Sequence, residues 1–228
     1  MMKSKIVLIT GASSGIGAST ARRLVNDGHK VALTARSEEK LASLVHELGD
    51  DVAVAFPADA TQYSAIQQVV EDAVAHYGRL DATFANAGVG LSAAGTENGD
   101  VDEWDTMIDI NIKALLWTAK ATLPHLKQSQ GHFVLTSSAA GRMSIKGSIY
   151  GASKWFAYGF GRNLAEEMAE WQGRCTTICP GMVNTPFFDE PKEDKLQPED
   201  VAEAVSYALN ADPRNNVREV FLMPSKMG

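Results

Sequence analysis

The chain has 228 residues, enough for one sizeable domain and too few for two comfortable ones. Hydrophobic residues make up 45% and charged residues 21%, an ordinary globular balance. A net charge of -7 and a pI near 5.2 exclude the basic face that nonspecific nucleic-acid binding needs.

Apolar, β-rich runs alternate with helical patterns along the whole sequence. Strands are predicted at Lys5–Ile9, Lys30–Thr34, Val52–Phe56, Ala82–Ala85, His132–Thr136, Cys175–Cys179 and Glu219–Met223. Helices are predicted at about 16–27, 38–48, 62–77, 103–129, 149–171 and 199–210. This alternation predicts an α/β fold: a doubly wound, Rossmann-type parallel sheet of about seven strands, helices on both faces, in a single domain over 1–228. The basic start Met1-Met2-Lys3-Ser4-Lys5 is followed by only a short apolar run, so no signal peptide is expected. No apolar run approaches the ~20 residues of a bilayer span, and the expected location is cytoplasmic, with no membrane or nucleic-acid partner.

The first strand leads into Thr10-Gly11-Ala12-Ser13-Ser14-Gly15-Ile16-Gly17, and a helical pattern follows at once. A strand, a glycine-rich turn and a helix N-terminus together make an anion site, because unpaired N–H groups and the helix dipole point at an approaching phosphate. Gly11, Gly15 and Gly17 fit a tight turn, a close approach of backbone to pyrophosphate, and close packing of helix on strand. An ordinary strand-to-helix turn is the competing reading of these glycines alone. The second strand ends Leu33-Thr34-Ala35-Arg36. An NAD site usually has an acidic residue here for the ribose hydroxyls. With Ala35 and Arg36 instead, nothing repels a 2′-phosphate and a guanidinium can hold one, with the Ser37 hydroxyl beside it. NADP(H) is the expected cofactor, against the alternative that Arg36 is simply solvated.

Further along, Asp59 follows the third strand and Asn86-Ala87-Gly88 the fourth; taken alone, these read as a helix-start acid and a turn. Asn111 interrupts the apolar helical run Met107-Ile108-Asp109-Ile110-Asn111-Ile112, where a polar side chain is a poor helix former and costly to bury. After the fifth strand comes Ser137-Ser138-Ala139-Ala140-Gly141, then Tyr150-Gly151-Ala152-Ser153-Lys154 opening a helix. Tyr150 and Lys154, four apart, share a helix face. A phenol with a pKa near about 10 moves protons poorly at neutral pH, and a nearby ammonium is expected to lower it. Tyr150 then serves as general acid for carbonyl reduction, and a serine hydroxyl holds the oxygen where negative charge develops.

These segments resemble the short-chain dehydrogenase/reductase family over essentially the whole chain, in its T-G-x-x-x-G-x-G loop, its strand-end serine and its Tyr-x-x-x-Lys pair. The resemblance implies an NADP-preferring oxidoreductase with Asn111, Ser138, Tyr150 and Lys154 as catalytic tetrad, Lys154 also binding the nicotinamide ribose. Ser138 stands at the family's S-x-x-G spacing from Gly141, and Ser137 stays open as the alternative. The resemblance also implies that Asn111 breaks its helix and holds a water near the lysine. Asp59 would meet the adenine, and Asn86, Ala87 and Gly88 would pack on the cofactor. Ala85 stands where the family has a further Asn, leaving the polar bridging to Asn86. Cofactor-binding residues would further include Gly11, Ser13, Ser14, Gly15, Ile16 and Gly17. Pro180, Gly181, Val183 and Thr185 would meet the nicotinamide through the P-G-x-V-x-T segment.

Cys175 and Cys179 read as buried free thiols, not as a disulfide or metal ligands, and no metal is expected. The interval Pro186–Pro198 is expected to be the substrate loop, solvated and mobile over Asp189–Lys195. Phe187 and Phe188 either cover the pocket or pin that loop, while Arg142 and Lys146 are the nearby cations for a substrate carboxylate. Apolar residues of the 103–129 and 149–171 helices, among them Leu115, Leu116, Trp117, Trp155, Phe156 and Phe160, lead us to expect a homodimer or homotetramer. The expected activity is reduction of a ketone or aldehyde to an alcohol. Alternatives are a dehydrogenase of a 3-hydroxy acid or 3-hydroxy amino acid, and a non-catalytic NADP-binding redox sensor.

Overall fold

The structure is a computed structural model that describes residues 4–92, 95–145, 149–188 and 190–225. Seven strands form one parallel sheet: β1 (Ile6–Thr10), β2 (Lys30–Thr34), β3 (Ala53–Ala55), β4 (Ala82–Ala85), β5 (His132–Thr136), β6 (Arg174–Pro180) and β7 (Glu219–Leu222). Their spatial order is β3-β2-β1-β4-β5-β6-β7. The helices are α1 (Gly15–Asn26), α2 (Glu38–Leu48), α3 (Tyr63–Tyr77), α4 (Val101–Met107), α5 (Ala114–Ser129), α6 (Ile149–Ala169) and α7 (Pro198–Asn210).

Side-chain alternation along each strand divides the core between the two faces. Ile6 and Leu8 point to the face covered by α3, α5 and α6, where they meet Ile66, Leu115 and Leu164. Val7 and Ile9 point to the other, against Leu24 of α1, Leu41 of α2 and Val205 of α7. β1 is buried at every residue because it lies inside the sheet with helices on both sides, which explains its unbroken apolar run. Strand order reverses between β1 and β4, the place where an open α/β sheet leaves a crevice at its carboxyl ends.

One predicted helix differs. In place of a single helix over 103–129, α4 and α5 are joined by a π-helical turn at Ile108–Lys113. The cause lies in Asn111, which is buried and bonds to residues outside its helix. Such wide turns in a helix recur at functional sites. Among the described residues, no helix is long and apolar enough to cross a membrane.

Candidate active site

The crevice between β1 and β4 is a cleft of about 590 Å³. Gly11, Ser13, Ser14, Gly15 and Ile16 form one wall, while Arg36, Ser37 and Asp59 stand at its far end. Asn86, Ala87 and Gly88 line the side from β4, and Thr185 closes over the glycine turn. Gly11 and Gly15 have φ of +65° and +51°, conformations that other residues adopt only with strain. A Cβ on Gly17 would lie 2.2 Å from the Gly11 carbonyl oxygen, so α1 approaches the turn as closely as it does only because Gly17 has none. The result is a bare backbone cradle at a helix N-terminus, a shape that fits a pyrophosphate.

Polar bridging around this turn converges on Thr10 and Asn86. The Thr10 hydroxyl oxygen accepts the N–H groups of Asn86 and Ala87 at 3.1 and 3.2 Å. The Asn86 amide donates to the carbonyls of Thr10 and Gly11, both at 3.4 Å, and its Oδ1 accepts from the Thr136 hydroxyl at 3.2 Å. Ala85 is buried among apolar side chains of the core, so an Asn is not needed there. Asp59 is exposed and accepts from the backbone and hydroxyl of Thr61, while Ser37 caps α2 by accepting the Lys40 N–H. Lys40 also lines the cleft beside Arg36, a cation that sequence reasoning missed; its place one helical turn beyond Arg36 was the available signal.

The expected proton-transfer groups are not among the residues that line the cleft; Phe187, which does line it, packs on Tyr150. Ser138 caps the 3-10 turn Ala139–Gly141, accepting the Ala140 N–H at 3.1 Å and donating to the Pro180 carbonyl at 3.4 Å. Its hydroxyl neighbours the Tyr150 phenol and favours the phenolate. Ser137, one residue earlier, donates to the Lys154 carbonyl at 2.8 Å. Burial raises the Tyr150 pKa, and Ser138 acts in the opposite direction. The lysine expected to lower it stands 5.8 Å from the ring centroid and donates to the Thr136 carbonyl at 3.2 Å. Burial brings the Lys154 pKa down to about 8.

Asn111 joins the two halves of the site. Its Oδ1 accepts the Val89 N–H at 2.8 Å, and its Nδ2 donates to the Val89 carbonyl at 3.0 Å and to Ser153 at 3.1 Å. The Ser153 hydroxyl in turn donates to the Tyr150 carbonyl at 2.8 Å. A cavity of about 10 Å³ between Asn111, Thr136 and Lys154 has the size of one water.

Of the expected cofactor residues after β6, Thr185 lines the cleft while Pro180, Gly181 and Val183 do not. The Pro180 carbonyl accepts from Ser138, Gly181 packs on Pro224 and donates to the Leu222 carbonyl, and Val183 is buried in a bridge to Leu196. They anchor the segment that carries Thr185. Phe187 follows, and its ring packs against Tyr150 and over Gly90, where a Cβ would come within 2.7 Å. Phe188 packs on Phe187 and under Lys192. Arg142 is committed elsewhere: it ion-pairs with Glu219 and stacks over Tyr158 and Phe221. Lys146 and Asp189 lie outside the described residues. Cys175 and Cys179 are buried free thiols, and burial pushes the Cys179 pKa up to about 11. Among the described residues, no group of three or more His, Cys, Asp or Glu could hold a metal.

Residues 5–196 match the family described as short chain dehydrogenase. The chain is 40% identical to an uncharacterized oxidoreductase of Staphylococcus saprophyticus, over 98% of each protein. Among solved structures it is similar to an alcohol dehydrogenase from Thermococcus sibiricus complexed with 5-hydroxy-NADP, at 30% identity and a TM-score of 0.91, covering 98% of this chain and 97% of that one. A serine dehydrogenase from Escherichia coli is similar at 34% identity and a TM-score of 0.88, covering 96% and 97%.

Proposed function

The chain belongs to the short-chain dehydrogenase family, and from that premise we propose that it is an NADP(H)-dependent reductase converting a ketone or aldehyde to an alcohol. One observation carries this reading: a cleft lined by Arg36 and Lys40 is lined also by Phe187, whose ring packs on Tyr150. Two cations and no carboxylate in place of Ala35 suit a 2′-phosphate, and the glycine cradle suits the pyrophosphate. Complexes of similar proteins with NADP or its 5-hydroxy analogue support the same cofactor. When bound, the cofactor supplies the hydride.

The residues supply the rest. Ser138 donates a hydrogen bond to the substrate carbonyl oxygen and keeps it beside the phenol. Tyr150 delivers its proton to that oxygen as charge builds there, and the oxygen leaves as the alcohol hydroxyl. The charged Lys154 favours the phenolate that remains, until solvent returns the proton. Lys154 also reaches the ribose side of the cleft mouth, since its Nζ stands within 3.4 Å of where a Gly88 Cβ would be. Phe187 offers an apolar wall next to Tyr150, which suits a hydrophobic carbonyl compound.

A second reading, oxidation of a 3-hydroxy acid or 3-hydroxy amino acid, is favoured by the likeness to a serine dehydrogenase. The pairing of Arg142 with Glu219 weighs against it, because that cation is no longer free for a carboxylate. A sensor without turnover has no need of Ser138, Tyr150 and Lys154 together. Exposed Trp155 and Phe156 on α6 support a homodimer or homotetramer. The deciding experiment is NADPH consumption across ketones, aldehydes and oxo acids. Oxidation of 3-hydroxy acids without reduction of any neutral carbonyl replaces the first reading by the second, and no turnover in either direction leaves the sensor.

A further inference from the structure

Ser137 has no part in the chemistry described above, yet it is more deeply buried than Ser138 and fully engaged. Its hydroxyl donates to the main-chain carbonyl of Lys154, in the second turn of α6, at 2.8 Å. A carbonyl oxygen has two lone pairs, so this bond adds to the helix ladder without replacing a rung. The Ser137 N–H donates to the Ile178 carbonyl of β6 at 2.8 Å. Gly141 presses on the junction from the 3-10 turn. A Cβ there would fall 2.5 Å from both the Lys154 carbonyl oxygen and the Ser137 Oγ. The end of β5, the 3-10 turn, β6 and α6 therefore meet around one serine, with no room for another atom at its hydroxyl.

That junction joins the two elements that must be held in register for proton transfer. Ser138 follows β5 as the cap of the 3-10 turn, while Tyr150 and Lys154 belong to α6. We propose that Ser137 is a positioning residue: by tying the Lys154 carbonyl to the end of β5, it sets the distance between the Ser138 hydroxyl and the Tyr150 phenol. The assignment rests on the reductase reading for its kinetic consequence but not for its geometric one. Ser137 does not touch the substrate and acts only through Ser138 and Tyr150.

The test uses the full chain with Ser137→Ala, Ser137→Cys and Ser138→Ala. Misplacing a proton donor by about 1 Å costs up to about 100-fold in rate, so Ser137→Ala should lower kcat by about 10- to 100-fold while KM and NADPH affinity hold. Its kcat–pH profile should move to higher pH, because the Ser138 hydroxyl that opposes burial at the phenol is displaced. Ser137→Cys, which keeps the volume and a weak donor, should fall between parent and Ser137→Ala and covers the case where the alanine variant does not fold. Tyrosine titration by NMR with ¹³C-labelled rings, assigned through Tyr150→Phe, reads the same displacement without any turnover. It therefore decides the matter even if no carbonyl compound is reduced. Parental kcat and an unmoved Tyr150 titration in both Ser137 variants would overturn the proposal. So would activity surviving in Ser138→Ala but not in Ser137→Ala, which would make Ser137 the serine that touches substrate.

Discussion

The Phe187 ring centroid stands 5.6 Å from that of Tyr150, with the two planes inclined by 60°. This is edge-tilted packing between the proposed proton donor and the first aromatic residue of the loop after β6. The same ring lies over Gly90, so it touches both the segment after β4 and the start of α6. A substrate carbonyl that reaches Tyr150 passes this ring. Phe187→Ala should raise KM for aryl ketones by about 2- to 10-fold, the worth of one aromatic pair, with a smaller effect on short aliphatic aldehydes. Matched KM series for the two classes check this, and an unchanged aryl-ketone KM would reduce Phe187 to a loop anchor.

Removal of the phenol hydroxyl gives a sharper outcome. Tyr150→Phe keeps the ring against Phe187 and removes only the transferable proton, so kcat should fall by about 100-fold or more. NADPH binding, followed by its fluorescence, should stay near parental. Lys154→Ala should damage both, and it also removes the donor to the Thr136 carbonyl. Near-parental kcat in Tyr150→Phe would end the proposed mechanism.

Both cations at the far end of the cleft are open to a differential test. Among the described residues neither Arg36 nor Lys40 has a carboxylate partner within ion-pair distance. A hydrogen bond to a charged group is worth roughly 1.5–3 kcal/mol, so Arg36→Ala should weaken NADPH by about one to two decades and NADH hardly at all. Lys40→Ala should act in the same direction and more weakly, as a point charge without a bidentate fork. Calorimetric titration with 2′,5′-ADP and 5′-AMP separates the phosphate contribution from turnover. Equal losses for the two nucleotides would make these side chains structural.

What could be read in advance and what could not divides by sequence distance. Strand–helix alternation, the glycine turn and the Tyr150–Lys154 spacing are local patterns, and the architecture they imply is the observed one. The turn at Ile108–Lys113 was visible only as an Asn out of place in an apolar helix. Its partners Val89 and Ser153 lie 22 and 42 positions away. Arg142 read as a free cation because Glu219, 77 positions on, is brought to it by β7. Lysine at i+4 to Tyr150 fixed a shared helix face but not the direction of the ammonium, which the Thr136 carbonyl of β5 decides. Periodicity carries register within an element, and contacts between elements come only from the sheet order.

Assembly has a surface test. Leu115 is buried in the core and Trp117 packs on Tyr63, so neither is free as the bare count of apolar residues suggested. Leu116 and Phe160 are half-buried, and Trp155 and Phe156 are 48% and 37% exposed on one turn of α6. Light scattering at micromolar concentration should give a dimer or tetramer, and Trp155→Glu should shift it toward monomer. A monomeric parent would overturn the expectation.

The last prediction concerns acid stability and the imidazole at the start of β5. His132 is 1% exposed, and its Nε2 lies 2.7 Å from the Thr176 hydroxyl oxygen. That hydroxyl donates onward to the Val217 carbonyl, so it accepts from His132 and the proton sits on Nε2. Among the described residues, Nδ1 is buried without a hydrogen-bond partner. Protonation would put a second N–H there with nothing to receive it, facing the positive charges of Arg174 and Lys5. Burial above all, then those two cations, lowers the pKa from 6.5 to about 3. The unfolded chain therefore binds the extra proton first as pH falls. The stability that the neutral ring permits is complete above about pH 6.5 and is lost progressively down to about pH 3, at about 1.4 kcal/mol per pH unit. Between pH 7.5 and pH 5 the loss from this residue should be about 2 kcal/mol. Urea unfolding of the parent and of His132→Gln at both pH values isolates it, because other titrating groups, His29 included, are common to the two. The parent should lose about 2 kcal/mol more than the variant over that interval, and equal losses would mean that His132 is not what makes the fold acid-sensitive.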